Sequence, residues 1–178
     1  MGGVRPGPGR VGGHRPPFFG FNFGFEPLAL NNFAETLGSL SGSGSITLGS
    51  GTLTVGSGNV SSTFNGVISG TGGLTKGGTG TFTLGGANTW SGATSITGGT
   101  LQLGGSERIA NNSAVTLSAG TTLALSGFNE SVGSLAGSGT VSLGAGTLTT
   151  GVNGTSTTYS GVLAGTGTVT KLGAGTFT

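Results

Sequence analysis

Apolar residues along most of this chain recur every second position. Ile46 and Leu48, Leu53 and Val55, Phe82 and Leu84, Leu101 and Leu103, Val115 and Leu117, Leu123 and Leu125, and Val141 and Leu143 each enclose one small or polar residue. A period of two is the signature of a strand with one buried face. The residues between and beside these pairs are largely Thr and Ser, with Gly at short intervals. The β-branched residues favour strands, and glycines every few positions exclude long helices. The pattern therefore predicts an all-β chain of short strands separated by tight corners.

A longer repeat turns that pattern into an architecture. FAETLGSLSGSGSITLGSGTLTVGSG, from Phe33, returns as FNESVGSLAGSGTVSLGAGTLTTGVN, from Phe128, an offset of 95 residues (128 − 33) that holds without a gap to Thr178. Over residues 33–83 and 128–178, 29 of 51 aligned positions are identical. Strands of about five residues with Gly, Ser or Asn corners predict a right-handed parallel β-helix. Coils of roughly 20 to 25 residues would make about six or seven coils from residue 33 onward, about four per repeat. Leu, Val, Ile and Phe would stack inside while Thr and Ser face water. Each coil would be stabilised mainly by its neighbours, and its open ends invite end-to-end self-association.

Residues 1–32 break the pattern. They hold all five prolines and the run Phe18, Phe19, Phe21, Phe23 and Phe25. We read them as a head separate from the 33–178 solenoid, either disordered or loosely packed, or folded as an aromatic cap over its open end. The apolar run is broken by Gly20, Asn22 and Gly24 and has no small-residue cleavage site, which argues against an export signal. No stretch approaches the roughly 20 apolar residues of a membrane helix.

Composition narrows the chemistry. The 43 glycines lack a Gly-X-Y period, so the chain is not collagen. Arg5, Arg10, Arg15 and Glu26 give the head a charge of +2, whereas Lys76, Arg108 and Lys171 balance Glu35, Glu107 and Glu130 in the body. Three isolated cations do not form the cluster that nucleic acid binding requires. Without cysteine there are no disulfides and no thiolate metal sites.

Catalysis fares no better. β-Helical polysaccharide enzymes need paired carboxylates or a metal held by them. This chain has no aspartate, and its four glutamates are scattered. Glu35 and Glu130 are equivalent residues one repeat apart, expected on the solvated surface. His14, the only histidine, lies in the head. The Asp-containing turns of calcium-binding β-helices are missing. GPGRVG at 7–12 spells a dinucleotide fingerprint but follows no strand and contains Pro8. Lys76 and Lys171 are expected to lie along apolar surface at corners with their charges in water. Trp90 and Tyr159 are expected to be structural aromatics rather than sugar platforms, and Asn88 a turn residue bonding backbone. Pairs such as Thr52 and Thr54, Thr81 and Thr83, Thr147 and Thr149, and Thr176 and Thr178 raise a weaker alternative, an ice-binding threonine array. No catalytic residue, cofactor or metal is expected.

LTKGGTGTFTLGGANTWSGATSITGGTLQLG, beginning at Leu74, resembles the autotransporter-associated β-strand repeat of secreted passenger domains. The resemblance is carried by Leu74, Thr75, Lys76, Gly80, Thr81, Leu84, Asn88, Thr89, Gly92, Thr94, Gly99, Leu101 and Leu103. Trp90 stands where the family has Tyr, and Phe82 where it has Leu. A second copy starts at Val169-Thr170-Lys171 and stops at Thr178. The resemblance implies a non-catalytic stalk that assists secretion, with a possible adhesive role toward host surfaces or glycans. It also implies display on a Gram-negative cell through an outer-membrane β-barrel translocator, and hence that this chain is a fragment of a longer protein.

Overall fold

The computed structural model describes residues 20–23 and 27–178. Among these residues every strand pairing is parallel, and no helix forms. The chain winds through three faces in a fixed order, which makes it a β-solenoid of about seven turns. Face 1 stacks eight strands, from Gly20–Phe23 to Val162–Gly165. Face 2 carries four strands, Leu28–Ala29 to Thr89–Trp90, and then, after an interruption, three more, Glu130–Val132 to Thr168–Lys171. Face 3 stacks six, from Glu35–Leu37 to Ser134–Gly137, and two isolated bridges extend it through Tyr159 and Phe177.

Gly20–Phe23 pairs with Ser39–Gly42 and Leu28–Ala29 with the strand containing Ile46. Strand pairing thus begins ahead of residue 33. Residues 1–19 and 24–26, with His14 and the side chains expected to form an aromatic cap, lie outside the described residues.

The period-two apolar residues form the expected columns. On face 1, Phe82, Leu101, Leu123 and Val141 stand in register. On face 3, Leu53, Leu74, Thr94, Val115 and Leu135 do so. All of these are buried, and each fully buried Leu, Val or Phe contributes roughly 1.5–3 kcal/mol through removal from water. Outward hydroxyls form matching ladders: Thr36, Thr54, Thr75, Ser95 and Thr116 on face 3, and Thr81, Thr100, Thr122 and Thr140 on face 1. The Thr-x-Thr pairs themselves are dispersed, with Thr54 on face 3, Thr81 and Thr83 on face 1, and Thr147 and Thr149 on face 2. They do not combine into one flat array.

The long repeat and the turn are out of phase. From Phe21 to Leu163, seven steps on face 1 cover 142 residues (163 − 21), about 20 per turn. A 95-residue repeat therefore spans four and two-thirds turns, not the four expected from longer coils. Glu35–Leu37 opens the first copy on face 3, but its counterpart Glu130–Val132 lies on face 2. Likewise Ser39–Gly42 is on face 1 and Ser134–Gly137 on face 3. The second copy is the first one rotated by one face.

Candidate functional site

The motif from Leu74 to Leu103 makes about one and a half turns near the middle of the stack. Leu74, Leu84, Leu101 and Leu103 point into the core, and Thr75, Thr81 and Thr89 lie on the outward side of their strands. Gly80, Gly92 and Gly99 are corners. A Cβ on Gly92 would lie 2.4 Å from the Gly72 carbonyl oxygen, and Gly99 has φ of +57°. Both positions exclude other residues, the first by contact with the coil below and the second by backbone conformation.

Lys76 is the first departure from expectation. Its side chain is fully buried, in register between Val55 and Ile96 on face 3. Rather than lying along the surface, it turns its ammonium against a corner, where Nζ donates to the carbonyls of Gly77, Gly78 (3.1 Å) and Gly98 (3.1 Å). Two of these belong to its own coil and the third to the next, so one cation ties two coils together. Burial holds its pKa below the ordinary lysine value. The stem fills an apolar column while the three donors satisfy carbonyls that the corner takes out of the ladder. The signal was present in the spacing: Lys76 is two residues from inward Leu74 and shares its side of the strand.

Trp90 starts a second polar insertion. It is fully buried, and Nε1 donates to Thr94 Oγ1 at 3.1 Å. Thr94 Oγ1 is 2.8 Å from Ser113 Oγ, and Ser113 Oγ donates to the Gly92 carbonyl at 2.8 Å. Since the Ser113 hydrogen is committed to Gly92, Thr94 must donate to Ser113. The relay runs in one direction and leaves no donor unmet. A buried indole at this depth offers no face to a sugar. Tyr159 is also buried, its hydroxyl donating to the Gly139 carbonyl at 2.9 Å and its ring stacked on Phe177 at 6.3 Å.

The third insertion mends the interruption of face 2. Asn88 follows Ile68 in the inward column; its Oδ1 accepts from Ile68 N at 2.8 Å and its Nδ2 donates to the carbonyls of Gly86 and Arg108. From the far side of the interrupted coil, Glu130 accepts from the backbone N–H groups of Arg108 and Ile109, both at 2.8 Å. Where residues 104–113 form no strand, two side chains supply the hydrogen bonds that a strand would have supplied. Glu130 is therefore buried, not solvated as expected, and burial pushes its carboxyl up to about 8 against the pull of those two N–H groups. Its repeat partner Glu35 is only half-buried. Asn88 was readable as a turn residue; Glu130 was betrayed only by its parity with inward Val132.

Taken together, these groups bind backbone, and they bind it within the core. Glu35 and Glu130 are separated by four and two-thirds turns, about 22 Å along the axis at ~4.8 Å per coil, too far for the paired carboxylates of glycoside hydrolysis. Among the described residues no group of three or more His, Asp or Glu side chains is placed to hold a metal.

Lys76, Asn88, Trp90 and Thr94 lie within residues 74–103, which match the family model of the passenger-associated-transport repeat, while Ser113 and Glu130 lie beyond it. The chain is 42% identical over 120 residues to the adhesin BmaC autotransporter of Brucella suis biovar 1 (strain 1330). That alignment takes in 64% of this chain but only 4% of the relative. No solved structure matches the chain. In this chain the matched segment thus sets a corner lysine, a buried aromatic and a ladder-mending asparagine into an otherwise largely apolar coil.

Proposed function

We propose that the chain is a non-catalytic stretch of an autotransporter passenger, a stalk displayed on the surface of a Gram-negative bacterium through an outer-membrane β-barrel translocator. The observation that carries the reading is the passenger-associated-transport repeat at 74–103, seated as a structural coil of a parallel solenoid. The likeness to an autotransporter adhesin supports the same reading. Each coil adds one rung to three ladders, so the fold can grow from one end as chain emerges from a pore. Every polar side chain buried in the repeat segment serves backbone or another core group, which favours scaffold over enzyme.

The direct test joins the 178-residue chain to an export signal and an outer-membrane barrel, and treats intact cells with protease. Release of the chain from the cell exterior is the expected result, and retention behind the outer membrane would overturn it. Whether the stalk also adheres is decided by coating beads with the chain and measuring attachment to cultured host cells or matrix. Attachment supports an adhesin, and its absence leaves a spacer. Val162, Leu163 and Leu172 are 41–58% exposed on the last coil, so this chain is also expected to associate end to end, measurable as concentration-dependent sedimentation.

A further inference from the structure

Two Asn-Gly pairs occur in the chain, Asn65-Gly66 and Asn153-Gly154. Glycine has no side chain to shield its backbone nitrogen, so in such a pair that nitrogen can reach the carboxamide carbon before it. The fold treats the two pairs in opposite ways. At Asn65 the corner is clamped. Gly66 is buried, and a Cβ on it would lie 1.7 Å from the Gly44 carbonyl oxygen. The next coil presses from the other side, where a Cβ on Gly86 would lie 1.9 Å from the Gly66 carbonyl oxygen. The Asn65 carboxamide is committed to that next coil, since a Cβ on Gly85 would lie 2.1 Å from its Oδ1. Neither residue has room to turn.

Asn153-Gly154 lies in a turn after the strand Thr147–Thr150, and Val152, Asn153, Gly154, Thr155 and Ser156 are all exposed. A Cβ on Gly154 would meet nothing within 4 Å. Here the carboxamide closes an Asx turn, with Asn153 Oδ1 accepting from Thr155 N, two residues on, at 3.0 Å. That closure folds the side chain back across the intervening Gly154 nitrogen, so that nitrogen and Cγ face one another. The Thr155 N–H is also a donor already placed on the oxygen where negative charge gathers when a nucleophile adds to Cγ. The Nδ2 end is tied only by a 3.4 Å hydrogen bond to Ser134 Oγ. Gly154 N–H donates to the Gly151 carbonyl at 3.0 Å, a single bond in an exposed turn, which opens before the nitrogen reacts. The first copy avoids this arrangement. Its equivalent residues are Gly58 and Asn59, in reverse order; Val60 follows Asn59, whose Oδ1 accepts from Thr79 N of the next coil at 2.9 Å. A β-branched successor shields the nitrogen, and the carboxamide faces another coil.

We propose that Asn153-Gly154 is a self-modification site, at which the folded chain converts asparagine to aspartate and isoaspartate without an enzyme. Hydroxide takes the Gly154 amide proton, the nitrogen forms a bond to Asn153 Cγ, and the Cγ–Nδ2 bond breaks. The departing amine takes a proton from water and leaves as ammonia, which regenerates hydroxide. Water then opens the cyclic imide at Cγ to give aspartate, or at the Asn153 main-chain carbonyl to give isoaspartate. Isoaspartate routes the backbone through Cγ and lengthens the turn by a methylene. Either product places a carboxylate on a chain that has no aspartate, so the surface beside the last coil gains negative charge with age. This chemistry is independent of surface display.

The test incubates the 178-residue chain at mildly alkaline pH in heavy-oxygen water, folded in buffer and unfolded in urea, and follows both asparagines by mass spectrometry of proteolytic peptides. In the folded chain Asn153 should convert at least about tenfold faster than Asn65, taking up heavy oxygen, at a rate that rises in proportion to hydroxide. In urea, where both are plain Asn-Gly pairs, the two should convert alike. Exchanging the pair to the order of the first copy, Asn153→Gly with Gly154→Asn, should abolish the reaction. Asn tolerates the φ of +73° at Gly154, so the circular dichroism spectrum should not change. Should the exchanged variant misfold, the ratio of Asn153 to Asn65 in the parent chain still decides. A folded-state ratio below about tenfold, an intact Asn153 in the folded chain after the urea sample has converted, or undiminished reaction at the exchanged pair would each overturn the proposal.

Discussion

Residues 33–83 and 128–178 are near copies in sequence, yet the stack treats them differently. Lys76 is sealed between Val55 and Ile96, whereas its counterpart Lys171, on the last strand of face 2 with Thr150 on one side and no coil on the other, stays partly exposed while donating to the carbonyls of Leu172 and Gly173. Glu35 is half-buried and Glu130 buried. Val67 is 39% exposed and Val162 58%. The same residue acquires its environment from the coils above and below it, as expected of a structure in which each unit contacts only its neighbours. Sequence identity between copies therefore does not carry over into identity of burial.

The largest expected contrast is at the lysines. Lys76→Ala removes a cation from three buried carbonyls and empties part of a column, at a cost of about 3 kcal/mol. Lys171→Ala, with solvent available to its carbonyls, should cost less than about 1 kcal/mol. Equal losses in urea denaturation would show that burial does not distinguish the copies.

Next in size is the pH dependence. Glu130 has its pKa raised in the folded state to about 8 from an ordinary 4.5. The folded protein thus holds this proton more tightly than the unfolded chain does. The stability it contributes is fully present below about 4.5 and lost as pH rises through 8, at up to roughly 1.4 kcal/mol per pH unit. Melting temperature should fall across that window in the parent chain. Glu130→Gln should flatten the fall; a slope that survives Glu130→Gln would assign it elsewhere.

The smallest effects exchange one hydroxyl between copies. Tyr159 donates to the Gly139 carbonyl, and the equivalents one repeat earlier are Phe64 and Gly44. Gly66 and Gly161 make the same room, since a Cβ would meet the Phe64 ring at 2.6 Å and the Tyr159 ring at 2.7 Å. Tyr159→Phe should cost about 1 kcal/mol. Phe64→Tyr should be neutral or stabilising by a similar amount, as its hydroxyl finds the Gly44 carbonyl; a clear destabilisation in thermal melts would mean that the two cavities differ in shape.

The solenoid itself was legible because its rule is local. Alternation places Leu53, Leu74, Val115 and Leu135 inside with no knowledge of the coils around them, and the repeat supplies parallel stacking. Phase was not legible, because it depends on turn length. A coil of 24 residues divides 95 into about four, whereas one near 20 leaves two-thirds of a turn over, and sequence alone does not separate the two. The buried ionisable residues were missed for a different reason. Lys76 and Glu130 obey the inward parity of Leu74 and Val132, but charge argues for the surface unless the partners are known. Those partners are the carbonyl of Gly98 and the amides of Arg108 and Ile109, which lie 22, 22 and 21 residues away and become neighbours only once the chain has wound.

The leftover two-thirds of a turn has a mechanical meaning. Were the 95-residue unit to continue in tandem, three copies, 285 residues (3 × 95), would complete about 14 turns and ~67 Å of rise before the pattern regained its starting azimuth. A soft seam or sticky edge encoded once per copy would then wind around the rod like a thread on a screw instead of running straight down one side. Such a rod has no weak direction in which to buckle, and whatever each copy carries is offered to all sides in turn.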